Sequence, residues 1–393
     1  MIWIIAALMV LISCALSYQL TKSFGLTVIT FFIAAALAMA VNAIAIGIDT
    51  KTQTTAIETW SGTVTCVFHK EEWDEWHPPE ERTRQVPDGE DEDGNTKYKT
   101  EKYTVPGYWE HYNAFNSIET SDGGSFLISK LPDGMYADDY YVNTDEELAA
   151  YYPIGSPSAS IHTFENRVQT SYSVFRTNNV DETQYRGLPE YITTTQNYID
   201  VNRFIGFNSN GEANKLLSVK NSLLNEYIPD PEKEGKMRSW KQVNLVFVNL
   251  GIDKTPDWGF ALENYWQRGA KNDFIVALST DNQGKVLWCY PISWSESELC
   301  KVEVRNHVTG MILAGEDDYL QMVEKVSDIV ADQFVRKQFA DFSYIKVNLS
   351  TKAVVTVSII FAVLLVIWVL ILKTSEWATD LRERVQRSAM HWR

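Results

Sequence analysis

Four aspartates in the second half of the chain could do chemistry together. Asp253, Asp257, Asp273 and Asp281 each fall where an apolar run ends or begins. Open α/β sheets bind ligands beyond the carboxyl ends of their strands. Carboxylates gathered there suit a hard cation held through oxygen, Ca²⁺ or Mg²⁺. Two of the four also have structural work to do: Asp257 suits a helix cap and Asp281 a tight turn. A second set is His69, His77 and His111 with the carboxylates around them. Histidine with aspartate and glutamate suits zinc or manganese. These residues, however, lie on a highly charged stretch without the fixed spacings of zinc motifs. The run Asp88–Asn95 also fails as a calcium loop. With Asp91, Asp93 and Asn95 at positions one, three and five, Thr96 stands where the sixth-position glycine belongs. A solvated acidic hairpin accounts for this stretch. No nucleophile–base pair or phosphate loop is visible, so the sequence leans away from an enzyme, and no cofactor is expected beyond Ca²⁺ or Mg²⁺.

Four cysteines add little. Cys14 lies in an apolar run, and the remaining three, Cys66, Cys289 and Cys300, cannot all pair within one chain. Cys289 and Cys300 are either a disulfide or two small buried thiols.

The elements that carry these groups begin with three apolar runs. Ala353–Leu372 has no charge and, at about 1.5 Å per residue, is long enough to cross a ~30 Å hydrocarbon core. Phe24–Ile48 reads the same way, and Met1–Leu20 is nearly as apolar. The tail after the last run carries Lys373, Arg382, Arg384, Arg387 and Arg393, and Lys22 sits between the first two. Such residues are retained in the cytoplasm. The large middle then lies outside the cytoplasm and the tail inside; in a bacterium, the middle is periplasmic. Leu11–Cys14 looks like a lipidation site, but the basic start of a secretory signal is missing and a second run follows at once, so a retained helical hairpin is expected. The alanines of the second run, among them Ala34, Ala38 and Ala45, suit close helix packing and a homo-oligomer. Trp377, Leu381 and Val385 suggest an amphipathic basic tail on the inner leaflet.

The chain has 393 residues and a formal net charge of −16. That acidity argues against nucleic acid, which requires clustered Lys and Arg. Five parts are expected: 1–48 two transmembrane helices, 49–205 a β-rich domain with a long acidic hairpin, 206–345 an α/β domain, 353–372 a third transmembrane helix, and 373–393 a basic tail. The first domain opens on a strand over Ala56–Phe68, and Arg167–Phe175 alternates like another. In the second, Ala213–Tyr227 has helical spacing, and Gln242–Leu250 and Asp273–Thr280 are near-continuous apolar strands, as buried sheet centres are. A helix from Asp257 closes at Gly269, a third strand covers Lys285–Ile292, and helices follow over Ser295–Ala314 and Asp317–Ala340. The fold class is therefore α+β with membrane helices at both ends.

The segments NLVFVNL, ALENYWQRGAKNDFIVAL and DNQGKVLW resemble the TPM domain family over about Val243 to Phe342. That resemblance implies an α/β/α domain outside the cytoplasm, commonly followed by a transmembrane helix, and in some members calcium binding or phosphoester hydrolysis. The whole chain, with ETWSGTVT after the N-terminal runs and VRKQFADFSYI near the end, is similar to membrane proteins of large tailed bacteriophages. Two departures are a missing Cys-rich insert after ETWSG and Asn272-Asp273-Phe274 in place of an Asn-Gly turn. With 13 Trp and 19 Tyr, many outside the spans, the expectation is an envelope protein of the host inner membrane that binds another envelope protein or itself. The alternative is a membrane-anchored, metal-dependent TPM-type hydrolase.

Overall fold

The computed structural model describes residues 2–90, 96–129, 131, 142–192, 201–230 and 233–374. In chain order the elements begin with α1 (Ile2–Thr21), α2 (Phe24–Thr54), β1 (Thr55–Lys70), β2 (Trp73–His77), β3 (Glu80–Glu90) and β4 (Thr96–Val105). Next come β5 (Tyr108–Tyr112), β6 (Phe115–Thr120), β7 (Ser125–Leu127), α3 (Asp145–Tyr151), β8 (Pro157–Glu165), β9 (Phe204–Ile205) and α4 (Glu212–Leu224). The remainder are β10 (Tyr227–Pro229), β11 (Met237–Ser239), β12 (Asn244–Ile252), α5 (Asp257–Tyr265), β13 (Asp273–Thr280), β14 (Val286–Ser293), α6 (Glu298–Val308), α7 (Glu316–Gln333) and α8 (Thr351–Thr374). They fall into two compact units. Among the described residues, one holds 2–57, Thr163–Asn179 and 338–374; the other is Glu58–His162 with Val180–Lys337.

The first unit holds three helices, α1, α2 and α8, each long and apolar enough to cross a membrane. Ile2, Ala6 and Val10 of α1, Ala38 of α2, and Val357 and Phe361 of α8 form their common interior. Ala34 and Ala45 also pack there, where small side chains let helices approach. Thr30 donates to Ser17 at 3.0 Å across the hairpin. The Asp49 carboxylate accepts both the backbone N–H (2.8 Å) and the hydroxyl (2.6 Å) of Ser350, which fixes the start of α8. The strand expected over Arg167–Phe175 is instead a 3₁₀ turn at Val168–Val174. Local side-chain bonds explain the difference: Asn166 accepts from the Gln169 N–H, and Thr170 donates back to the Arg167 carbonyl.

In the second unit, an antiparallel sheet of order β7-β6-β1-β8 covers Val64, Val67, Ile118, Phe126, Leu148 and Tyr152. Strand β8 and helix α3 were not apparent from sequence pattern. The long hairpin is present, in two pieces. Ribbon β2–β5 rises from the sheet and ribbon β3–β4 continues beyond it. Pro78-Pro79 on one strand and Pro106-Gly107 on the other interrupt the ladder at matching positions, because proline has no N–H to give. Of the expected acidic turn at Asp88–Asn95, residues 88–90 end β3 and 91–95 lie outside the described residues, as does the tail from 375.

The second sheet has the order β14-β13-β12-β9, with β9, β12 and β13 parallel and β14 antiparallel. Both faces are covered, which is why its central strands read as unbroken apolar runs. Leu245, Phe247, Phe274, Val276 and Leu278 face a core shared with α4, α6 and α7. Val246, Val248, Ile275 and Ala277 face Leu262 of α5 and Trp266 just beyond it. The last helix of this layer stops at Gln333 rather than Ala340, and the chain continues extended from Phe334. The β-rich and α/β parts, expected as separate domains meeting near 205, lie in one compact unit; Phe204–Ile205 is itself a strand of the α/β sheet.

Candidate functional site

The four aspartates do not come together. β12 and β13 run parallel with Asn244 opposite Asp273 and Ile252 opposite Thr280. Asp273 therefore begins its strand at one end of the sheet, while Asp253 and Asp281 follow the strands at the other. Seven residue steps separate Asp273 from Thr280, about 23 Å at strand rise. At the carboxyl end, Asp253 and Asp257 are exposed and Asp281 half-buried. Asp281 Oδ1 accepts the backbone N–H groups of Gln283 (2.8 Å) and Lys285 (2.9 Å), the turn-forming role read from its sequence. Asp257 is the first helical residue, and Pro256, not the aspartate, occupies the cap. Asp253 has a left-handed φ of 52° and accepts from the Asn282 amide at 3.5 Å. No cluster of three or more His, Cys, Asp or Glu arranged for a metal occurs among the described residues. Cys289 and Cys300 are free and buried, and burial pushes the Cys300 thiol up to about 12.

Asp273 is fully buried in a network of its own. It accepts hydrogen bonds from the Tyr191 hydroxyl, the Asn244 amide (2.9 Å) and the Ala270 N–H (2.8 Å). Burial raises its pKa from the ordinary aspartate value and pushes the Tyr191 hydroxyl well up from its own. Asn244 in turn accepts from Arg203 at 2.7 Å. Arg203 is 1% exposed, and desolvation lowers its pKa to about 10. Its guanidinium also donates out of the α/β layer, to Ser61 of β1 at 2.8 Å.

That contact belongs to a set that reads all five residues of the segment Glu58–Gly62. Glu58, 3% exposed, accepts two hydrogen bonds from Arg336 Nη2, at 2.8 and 2.7 Å, and lies 3.2 Å from Lys271 Nζ. The Thr59 carbonyl accepts from the Asn272 amide at 2.7 Å. Trp60 has the Arg336 guanidinium 5.9 Å from its ring centroid and the His162 ring stacked on it at 3.8 Å. Ser61 meets Arg203, and the Gly62 carbonyl accepts from Ser222 at 2.6 Å. Gly62 must be glycine, because a Cβ there would sit 2.6 Å from Ser121 Oγ and 2.8 Å from the Asp122 nitrogen. Burial lowers the pKa of Lys271, Arg336 and His162. His162 is tied through Ser160, 2.8 Å from its Nε2, to the Asp122 carboxylate. Serine, not histidine, is the middle group of that chain and is 2% exposed, so it lacks the order and the access of a hydrolytic triad. Three stretches distant in sequence, ETWSG, RGAKND and VRK, thus converge on one seam.

The second feature is the hairpin. Trp76, Tyr108 and Trp109 on the inner ribbon are 45%, 55% and 66% exposed, and Tyr98 on the outer ribbon is 62% exposed. On one face Trp73 stacks on Tyr112 (4.6 Å) and His77 on Tyr108 (4.8 Å); on the other Trp76 lies 5.3 Å from Trp109. Of the three histidines considered for metal binding, His77 Nε2 lies 2.9 Å from Glu110 and His111 Nδ1 2.8 Å from Asp74. His69 contacts Asn116 at 2.8 Å. They sit in three separate environments. The sequence pattern indicated the hairpin but not the seam, whose members are scattered charged and polar residues with no periodic signature.

Comparison of the chain with known protein families, curated proteins and solved structures finds no match.

Proposed function

We propose that this chain is an integral protein of a bacterial inner membrane, phage-encoded, whose periplasmic part binds another envelope protein or a second copy of itself. The observation that carries this reading is the inner ribbon. A two-stranded ribbon is marginally stable alone in water, yet this one holds Trp76, Tyr108 and Trp109 in ordered cross-strand pairs and leaves them open to solvent. Exposed Trp and Tyr of this kind anchor protein contacts. Lys22 and the basic tail support the periplasmic placement. Ala36, Ala40, Ala43 and Gly47 lie on the exposed side of α2 at a spacing that favours helix association, which supports a homo-oligomer. The resemblance to phage membrane proteins and to TPM domains motivates the source and compartment. A photo-crosslinking amino acid at Trp109, in the full-length protein in cells, tests the reading. A discrete adduct is expected there and none from the same probe at Leu127, which is 75% exposed on the other sheet. Identical labelling at both positions would remove the ribbon as a contact surface.

A further inference from the structure

The ribbon also indicates the chemistry of what it binds. Residues 71–77 and 108–112 carry Glu71, Glu72, Asp74, Glu75 and Glu110 and no Lys or Arg. The outer ribbon is different: Arg82–Glu80, Arg84–Glu101, Lys99–Asp88 and Lys102–Glu81 are ion pairs within it. Beyond the proline break the carboxylates are thus paired with Lys and Arg; before it, His77 and Tyr112 contact Glu110 and His111 contacts Asp74, and none of these carries a fixed positive charge. Strand register makes the imbalance sharper, because Glu75 stands directly opposite Glu110, and like charges facing across a ladder repel. Lys70, adjacent in sequence, shows how these rings take a cation: its Nζ lies 3.3 Å from the Trp73 ring centroid.

We infer that the β2–β5 ribbon binds an extended, arginine-containing segment of a partner protein. This rests on the interaction reading above and names the partner's chemistry. Among the described residues β2 and β5 pair only with each other, so each has an open edge to which a strand can add. A strand added there places alternate side chains on opposite faces, about 7 Å apart on each face. On one face guanidinium groups meet Trp76, Trp109 and Asp74; on the other they meet the Glu75–Glu110 pair. Arginine fits better than lysine because its planar, weakly hydrated group both stacks on indole and pairs with carboxylates.

The test uses the full-length protein in zwitterionic nanodiscs and a labelled peptide of alternating Arg and Thr, with Glu-Thr and Lys-Thr peptides beside it. The Arg peptide binds at micromolar concentration, the Lys peptide several-fold more weakly and the Glu peptide not at all. Trp76→Ala with Trp109→Ala, or Glu75→Gln with Glu110→Gln, weakens binding at least tenfold. Glu212→Gln with Glu298→Gln, which removes the same charge from exposed helix positions, leaves it unchanged. Equal loss in that control would reduce the effect to net charge and overturn the proposal. So would undiminished binding to the tryptophan variant, or binding that requires added Ca²⁺ or Zn²⁺. If the Arg peptide fails while the Trp109 crosslink still forms, the partner chemistry is wrong and the interaction reading stands; if both fail, the interaction reading falls too.

Discussion

Replacing Glu58 by glutamine should be among the most damaging single changes outside the apolar core. Its side chain is 2% exposed, those of Arg336 and Lys271 are 14% and 19% exposed, and it is the carboxylate both cations contact. Glutamine keeps the size and one acceptor oxygen but leaves two desolvated cations beside a neutral amide. Removing one partner from a buried ionic group costs about 3–5 kcal/mol. For a unit of this size that lowers the melting temperature by about 6–20 °C, at roughly 2–4 °C per kcal/mol. Arg336→Met should cost less, since Lys271 still neutralises Glu58. Glu58→Leu, Lys271→Met and Arg336→Met combined should recover much of the loss, because a buried ion group replaced whole by apolar residues is often near neutral. Thermal unfolding of the full-length protein in one detergent, followed by tryptophan fluorescence, reads all three. A Glu58→Gln change under about 1 kcal/mol, or a triple variant worse than Glu58→Gln, would refute the reasoning that this seam is dry and mutually compensated.

Gly269 has φ +75° and a Cβ there would lie 2.5 Å from Asp273 Oδ2, so Gly269→Ala should cost about 1–3 kcal/mol in the same melt. Glu316 accepts from the Ser209 hydroxyl and the N–H groups of Asn210 and Ala213; burial opposes its ionisation, but these bonds win and hold its pKa below 4.5. A depressed carboxylate stabilises above its unfolded pKa and loses that as pH falls through the folded value, so the gap between wild type and Glu316→Gln should be flat at neutral pH and close below pH 4.5; a constant gap down to acid would contradict it. For the hydrolase alternative, millimolar Ca²⁺ or Mg²⁺ should raise the melting temperature through Asp253, Asp257 and Asp281, and no shift would leave that alternative without a site. A periplasm-dependent reporter should be active when fused near Asp91 and silent at Arg393, and the reverse pattern would invert the proposed topology.

Features set by local pattern were legible in the sequence. The three long helices follow from uncharged apolar runs, and α2 merely continues past the expected Ile48 to Thr54, because nothing in IDTKTQT breaks a helix. β12 and β13 follow from unbroken Val, Ile and Leu, and Gly269 closes the α5 region in a left-handed conformation as its position suggested, with Gln267 and Arg268 left-handed before it. Grouping Asp273 with Asp253 and Asp281 failed because strand ends look alike in sequence; only parallel register shows that one lies at the opposite edge. The seam was invisible for a deeper reason. Glu58 and Arg336 are 278 positions apart, and a lone charged residue reads as solvent-facing unless its partner is known.

The position of that pair nevertheless gives it a particular meaning. Glu58 is the first residue of its compact unit, and Arg336 is one short of the last, Lys337. The chain first enters the unit within β1 and last leaves it at Lys337. Pinning the first and last strands of chain together removes the freedom of both ends at once, and the cost of closing so long a loop grows only slowly with its length. A hydrophobic contact could do the same, but it would tolerate a shift by one residue. A two-point hydrogen bond from one guanidinium, beside a lysine and flanked by the Thr59, Ser61 and Gly62 contacts, fixes β1 in a single register. Since a one-residue slip would turn Val64 and Val67 out of their core, the seam is where the antiparallel sheet, and with it the ribbon it carries, receives its alignment.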